Sequence, residues 1–166
     1  MYTNGLILSF PKEIKLLIGV FLIVLSIGFY IGLLFVEETS SVNPNGIEEQ
    51  YLGNEESEDA LVMKFRKSDQ EMLTLVHNHV LSMAIIFFLL AIIVYTTRLN
   101  KTLKLFLMIE PFVSVLLTFG GIYLLWKGIL WMKYIVMFSG SLMVLSYSIS
   151  ILIIFFQLFE KKKHYK

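Results

Sequence analysis

The chain has 166 residues, of which 57% are hydrophobic and 16% charged, and its mean hydropathy is +0.74, a balance that excludes a soluble domain of this length. A net charge of +1 leaves no nucleic-acid signature, and the absence of cysteine excludes dithiol redox chemistry, thiolate metal sites, iron–sulfur ligation and disulfides. An integral membrane protein remains.

Spanning the hydrocarbon takes roughly 20 apolar residues in a helix. Four windows meet that demand: 16–36, 73–95, 105–126 and 134–158. They predict an all-α, four-helix membrane bundle, a single domain over residues 1–166. The first window is too long for a signal-peptide core and lacks a small-x-small cleavage site, so it is expected to stay as a helix. Its Gly28 and Gly32 form a Gly-x-x-x-Gly pair, which lets another backbone approach closely, either within the bundle or from a second chain.

The connection 37–72 carries Glu37, Glu38, Glu48, Glu49, Glu55, Glu56, Glu58, Asp59, Asp69 and Glu71 against Lys64, Arg66 and Lys67. Its "NPNG", Asn43 to Gly46, predicts an irregular first half. The later "SEDALVMKFRKSDQEML" is expected to form an interfacial helix, with Leu61, Met63 and Phe65 on the membrane or a partner. The run "NEESED" lacks the ordered alternation of a calcium loop.

The second window, within "EMLTLVHNHVLSMAIIFFLLAIIVY", opens with His77 and His79. Residues two apart on a helix point about 200° away from each other, so the two cannot share one ion unless the helix starts after Asn78. His79 shares a face with Met83, and His77 with Leu81 and Ala84. One histidine is a candidate axial ligand of haem b, with Met132, Met137, Met143, a second copy or a partner supplying the other bond. A copper reading combines His77 or His79 with Met72, Met83 and Met132, since thioether and imidazole ligands suit Cu(I). The competing reading makes both histidines interfacial side chains bonded to water, backbone or the acidic loop.

In the third window Glu110 precedes Pro111, about 9 Å from Lys104 at the helical rise. Glu110 is expected to reach the cytoplasmic interface and pair with Arg98, Lys101 or Lys15. The alternative is a proton-linked site or hinge, because Pro111 frees the carbonyl four residues back. Thr118, Gly120 and Gly121, with Ser139, Gly140, Ser141, Ser146, Ser148 and Ser150 of the fourth window, mark packing faces.

Lysine and arginine set the orientation. Lys12 and Lys15, then Arg98, Lys101 and Lys104, then Lys161, Lys162, Lys163 and Lys166 all fall on one side, which places both termini in the cytoplasm of a bacterial inner membrane. The acidic connection and the turn between Lys127 and Lys133 face outward, with Trp126 and Trp131 at the outer interface. The tail "EKKKHYK" reads as a topogenic, lipid-contacting cluster. No Gly-x-Ser-x-Gly, HExxH or phosphate-cradling loop occurs, so no catalytic constellation is predicted.

The stretch "HNHVLSMAIIFFLLAIIVYTTRL", followed by Pro111-Phe112, resembles the second and third helices of small bacterial four-helix membrane proteins that begin the second helix with His-x-His. It is loosely similar to the haem-bearing helices of respiratory oxidases. The likeness covers about Val76 to Gln157. It implies a cytochrome-like or accessory role in a respiratory or other energy-transducing complex, either holding a cofactor or not catalytic at all. Four helices and too few membrane histidines exclude an oxidase catalytic subunit. A small assembly or interaction protein without cofactor is the alternative, and a proton-coupled transporter component a further one, which the absence of internal repeats disfavours. The partners expected are lipids and other membrane subunits or a second copy, with no nucleic acid.

Overall fold

Polar caps, rather than the edges of the apolar windows, set where several helices of this chain begin. The computed structural model describes residues 4–40, 42–55 and 62–160. A short 3-10 turn, Leu6–Ser9, precedes five α-helices: α1 Lys12–Ser40, α2 Pro44–Leu52, α3 Asp69–Thr96, α4 Lys101–Trp126 and α5 Met132–Phe159. All but α2 are long and apolar enough to cross a membrane, and no strand occurs among the described residues. Ser68 and Glu71 start α3 with a reciprocal capping box, and the Asn100 side chain accepts from Leu103 N at 2.8 Å to start α4. Polar caps therefore add one or more turns to the predicted windows of both helices.

The connection between α1 and α3 reverses the expectation. Asn43 caps α2 by accepting from Gly46 N at 2.8 Å, and Pro44 occupies the first helical turn, so "NPNG" begins a helix instead of a turn. Of the stretch 57–73 expected to form an interfacial helix, residues 62–68 are not helical, 69–73 belong to the start of α3, and 57–61 lie outside the described residues. Residues 63–68 run as an extended strap, because Asn54 binds Lys64 and Val62 and Lys67 N donates to Tyr51 O, which spends these backbone groups on the end of α2. Met63 and Phe65 are exposed. Leu61, Glu56, Glu58 and Asp59, like Lys161, Lys162, Lys163, His164 and Lys166 of the tail, lie outside the described residues.

α4 is the central helix. Half of its most apolar window is buried, against 11% for α1. It packs on α5 and α3, and its small residues allow the approach: a Cβ built on Gly121 would meet Val136 Cγ2 at 2.9 Å, and Thr118 and Ser139 hydroxyls lie 2.8 Å apart. α1 touches α5 along one strip, with Gly19 against Leu158 and the Phe29 ring stacked 3.8 Å from that of Tyr147. Gly28 and Gly32 are not on that strip. A Cβ on either meets nothing within 4 Å, so of the two readings of the pair the intramolecular one fails.

Two clusters of contacts define the ends of the bundle. At one, Asn4 accepts from Leu99 N and Lys104 Nζ, Gln157 accepts from Arg98 N, and Arg98 pairs with Glu160 at 3.0 Å. At the other, Lys133 pairs with Glu48 at 2.6 Å, while Arg66 donates to the Trp126 carbonyl and Trp126 Nε1 to the Lys67 carbonyl, both at 2.9 Å. The strap thus covers Trp126, which is buried, while Trp131 remains exposed as an interfacial ring is expected to be. Both ends of the described chain sit at the end opposite the acidic connection.

Candidate functional site

Because the capping box fixes α3 from Asp69 onward, His77, Asn78 and His79 are all helical. The late helix start that would let both histidines share an ion is absent, and both are exposed. His79 is held on two sides. Its Nδ1 lies 2.8 Å from the Leu75 carbonyl, and its ring stacks on Phe119 of α4 with centroids 4.8 Å apart. With Nδ1–H donating to that carbonyl, Nε2 keeps its lone pair free. Ser82 donates to the Asn78 carbonyl at 2.6 Å, and His77 has no hydrogen bond or ring contact among the described residues.

The methionines named with these histidines go elsewhere. Met72 and Met132 are buried in the apolar core, and Met83 is half-buried against it. Met132 Cε lies 3.5 Å from a Cβ built on Gly121, inside the α4–α5 contact. Among the described residues no three His, Asp or Glu side chains gather as a metal site.

Glu110 does not reach the interface. Arg98 pairs instead with Glu160, Lys15 donates to the Leu8 carbonyl, and Lys101 is exposed at the start of α4 with no ion pair to Glu110, while Lys104 donates to Asn4, Tyr95 O and Thr97 O. Glu110 lies on the same stripe of α4 as Leu107, Ser114 and Thr118, which faces the bundle, and it is 8% exposed. Helical phase overrides shallow depth here, because snorkelling requires an outward-facing start. Ser114 Oγ donates to Glu110 Oε1, and Glu110 Oε2 is buried without a partner among the described residues. Thr118 and Ser139 continue this polar seam.

Residues 41–165 match the model of Aq_1264_TM, a transmembrane helical domain. The chain belongs to this family. No curated protein and no solved structure matches it. The Aq_1264_TM match begins just beyond Ser40, so it takes in α2 to α5 and leaves α1 outside. That division agrees with the packing. Within the Aq_1264_TM segment α3, α4 and α5 share the core, whereas α1 touches it along one strip of α5 and meets α2 at its own end.

Sequence reasoning missed Phe119 as the seat of His79 and Ser114 as the partner of Glu110. Ser114 had a signal: Glu110, Ser114 and Thr118 recur every four residues in an otherwise apolar helix, which puts them on one face. Phe119 had none, since its meeting with His79 depends on the register between two helices. The same contact shortens the axial distance from Glu110 to His79. Phe119 is nine residues from Glu110, or about 14 Å at the helical rise, where separate placement of the two windows suggests about 20 Å.

Proposed function

We propose that this transmembrane protein is a non-catalytic accessory or interaction subunit of a bacterial membrane complex, set in the inner membrane with both termini cytoplasmic. One observation carries the reading: among the described residues, polar groups and close-packing glycines lie exposed on the outside of the bundle. His77, Asn78, His79 and Ser82 are exposed on α3, and Gly28 and Gly32 are open on α1. His79 is about 25 Å along α3 from Thr96, just within a hydrocarbon layer of about 30 Å. Polar side chains at that depth are stabilised by a neighbouring subunit that hydrogen-bonds them. The orientation rests on Lys12, Lys15, Arg98, Lys101 and Lys104 at the terminal end against the acidic connection at the other.

A cofactor-sharing form of the same reading is supported by the Leu75 carbonyl. It orients the His79 ring with Nε2 free, the arrangement used by metal-bound imidazoles. His79 thus fits one axial position of a haem b, the second falling to a partner or a second copy. The copper set does not fit, because Met72 and Met132 are in the core while the histidines are outside it.

The absence of cysteine allows a direct test. Single cysteines at Gly32, Ser82 and, as a control on the outside of α5, Leu152 would be cross-linked in native membranes. A discrete, high-yield adduct with one membrane subunit from Gly32 or Ser82, and none from Leu152, supports the reading. Equal or absent cross-linking at all three positions overturns it. A dithionite-reduced minus oxidised spectrum of the purified protein and of any adduct, beside His77→Ala and His79→Ala, decides between the forms with and without haem.

A further inference from the structure

The α4–α5 seam contains two buried polar atoms that the chain leaves unmatched. Glu110 Oε2 and Ser146 Oγ lack hydrogen-bond partners among the described residues, and their residues are 8% and 1% exposed. Such groups are costly in an apolar interior, so two in one place call for an account.

Helix register brings them to one level. α4 and α5 run antiparallel with Thr118 beside Ser139 and Gly121 beside Val136. Two turns from Thr118 toward the start of α4 lies Glu110, and the corresponding two turns along α5 lead from Ser139 to Ser146 and Tyr147. Ser146 and Tyr147 are both buried. Ser114 already donates to the other carboxyl oxygen. Pro111, with no N–H to give, leaves the Leu107 carbonyl without its helical donor one turn away. A carboxylate, two hydroxyls and a backbone carbonyl are hard oxygen donors, and the single carboxylate balances one positive charge.

We propose that Glu110, Ser114 and Ser146 form a binding site for a single monovalent cation, a proton or Na⁺, between α4 and α5. A proton on Oε2 neutralises the carboxylate and gives it an O–H to donate to a hydroxyl, whereas Na⁺ on Oε2 takes the two hydroxyls into its oxygen shell. Among the described residues no other charge competes. On α3 the stretch level with Glu110, fixed by the stacking of His79 on Phe119, presents Phe87, Leu90 and Ala91 as its buried face. On α5 the titratable group at this level is Tyr147, whose hydroxyl is directed to Ser26 of α1. Lys104, the basic residue of α4 closest in sequence, is held at the helix start by Asn4, Tyr95 O and Thr97 O. The inference stands independently of the accessory-subunit reading.

The test is thermal unfolding of the purified full chain in detergent, for wild type, Glu110→Gln and Ser146→Ala. One arm lowers the pH in choline chloride. The other replaces choline with Na⁺ at constant ionic strength and pH. The pH arm is read as wild type minus Glu110→Gln, so that contributions from every other group cancel. The expected result is a Tm that rises with the cation in wild type and loses that rise in Glu110→Gln. Ser146→Ala shifts the midpoint to higher cation concentration, which a merely structural serine would not do. A response to pH alone identifies the proton, and a response to both identifies Na⁺ competing with it. Identical dependence of wild type and Glu110→Gln in both arms overturns the proposal. Should Glu110→Gln fail to fold, carbodiimide labelling of wild-type Glu110 read by mass spectrometry takes its place. Labelling that slows as pH or Na⁺ rises supports the site, and labelling indifferent to both sinks it.

Discussion

The imidazole of His79 lies on the ring of Phe119, centroids 4.8 Å apart and planes 29° from parallel, so the N-terminal half of α3 is pinned to the central helix by a side chain that hydropathy alone would assign to the interface. His79→Ala removes both this stack and the bond to Leu75, and is expected to lower stability by about 1 kcal/mol. His77→Ala removes no such contact and should leave Tm unchanged. Equal effects of the two substitutions in thermal unfolding would show that the stack contributes nothing.

Two glycines predict opposite outcomes for the same substitution. A Cβ on Gly46 would lie 1.9 Å from the Ser40 carbonyl oxygen, backbone that has no free movement, because α2 folds back tightly on the end of α1. Gly46→Ala should therefore displace α2 and open the 42–55 segment to protease. Gly28→Ala meets open space and should leave the isolated chain as stable as before, or stabilise it by up to about 1 kcal/mol through helix propensity. Limited proteolysis and Tm read the two together.

α2 is also held from the far side of the chain, by Lys133 of α5 on Glu48 at 2.6 Å and on Asn45 at 3.2 Å. Both charged side chains are partly shielded, so the pair is expected to help hold α2 in place. Glu48→Gln is expected to raise hydrogen exchange in 44–52 several-fold at low salt, an effect that high salt reduces in wild type. Unchanged exchange would mean that α2 rests on its cap and the strap alone.

Tyr51, at the end of α2, accepts from Lys67 N through its backbone while burial pushes its phenol up from 10.0 to about 12. The folded state favours the neutral ring. Stability from this group is complete below pH 10.0 and is lost as pH climbs toward about 12, because the unfolded phenol ionises first. Alkaline titration should release the strap from α2 in that window, and Tyr51→Phe should remove this part of the pH dependence. Release of the strap over the same pH range in wild type and Tyr51→Phe would contradict it.

The number and approximate extent of the spans were legible in the sequence because a backbone in hydrocarbon must satisfy its own hydrogen bonds, and a continuous helix does this with local residues only. The windows 16–36, 73–95, 105–126 and 134–158 each fall inside an observed helix. The bias of lysine and arginine, likewise a property of local sequence, agrees with the terminal end and the acidic end found apart. What failed was local in a different way. "NPNG" serves a turn or a helix cap equally well, and the choice was made when α2 packed back on Ser40 and the strap 63–68 spent its backbone on Asn54 and Tyr51.

Composition also named the polar candidates, His77, His79 and Glu110, without saying which way they face. That is a matter of helix rotation and inter-helix register, and in lipid neither follows from hydrophobicity, since the partner-facing and lipid-facing surfaces are equally apolar. Only the tertiary structure turned Glu110 inward to Ser114, set His79 on Phe119, and left Gly28 and Gly32 facing out. Each was decided by contacts between residues far apart in the chain, where close packing at Gly121, Thr118 and Ser139 fixes how one helix sits against the next.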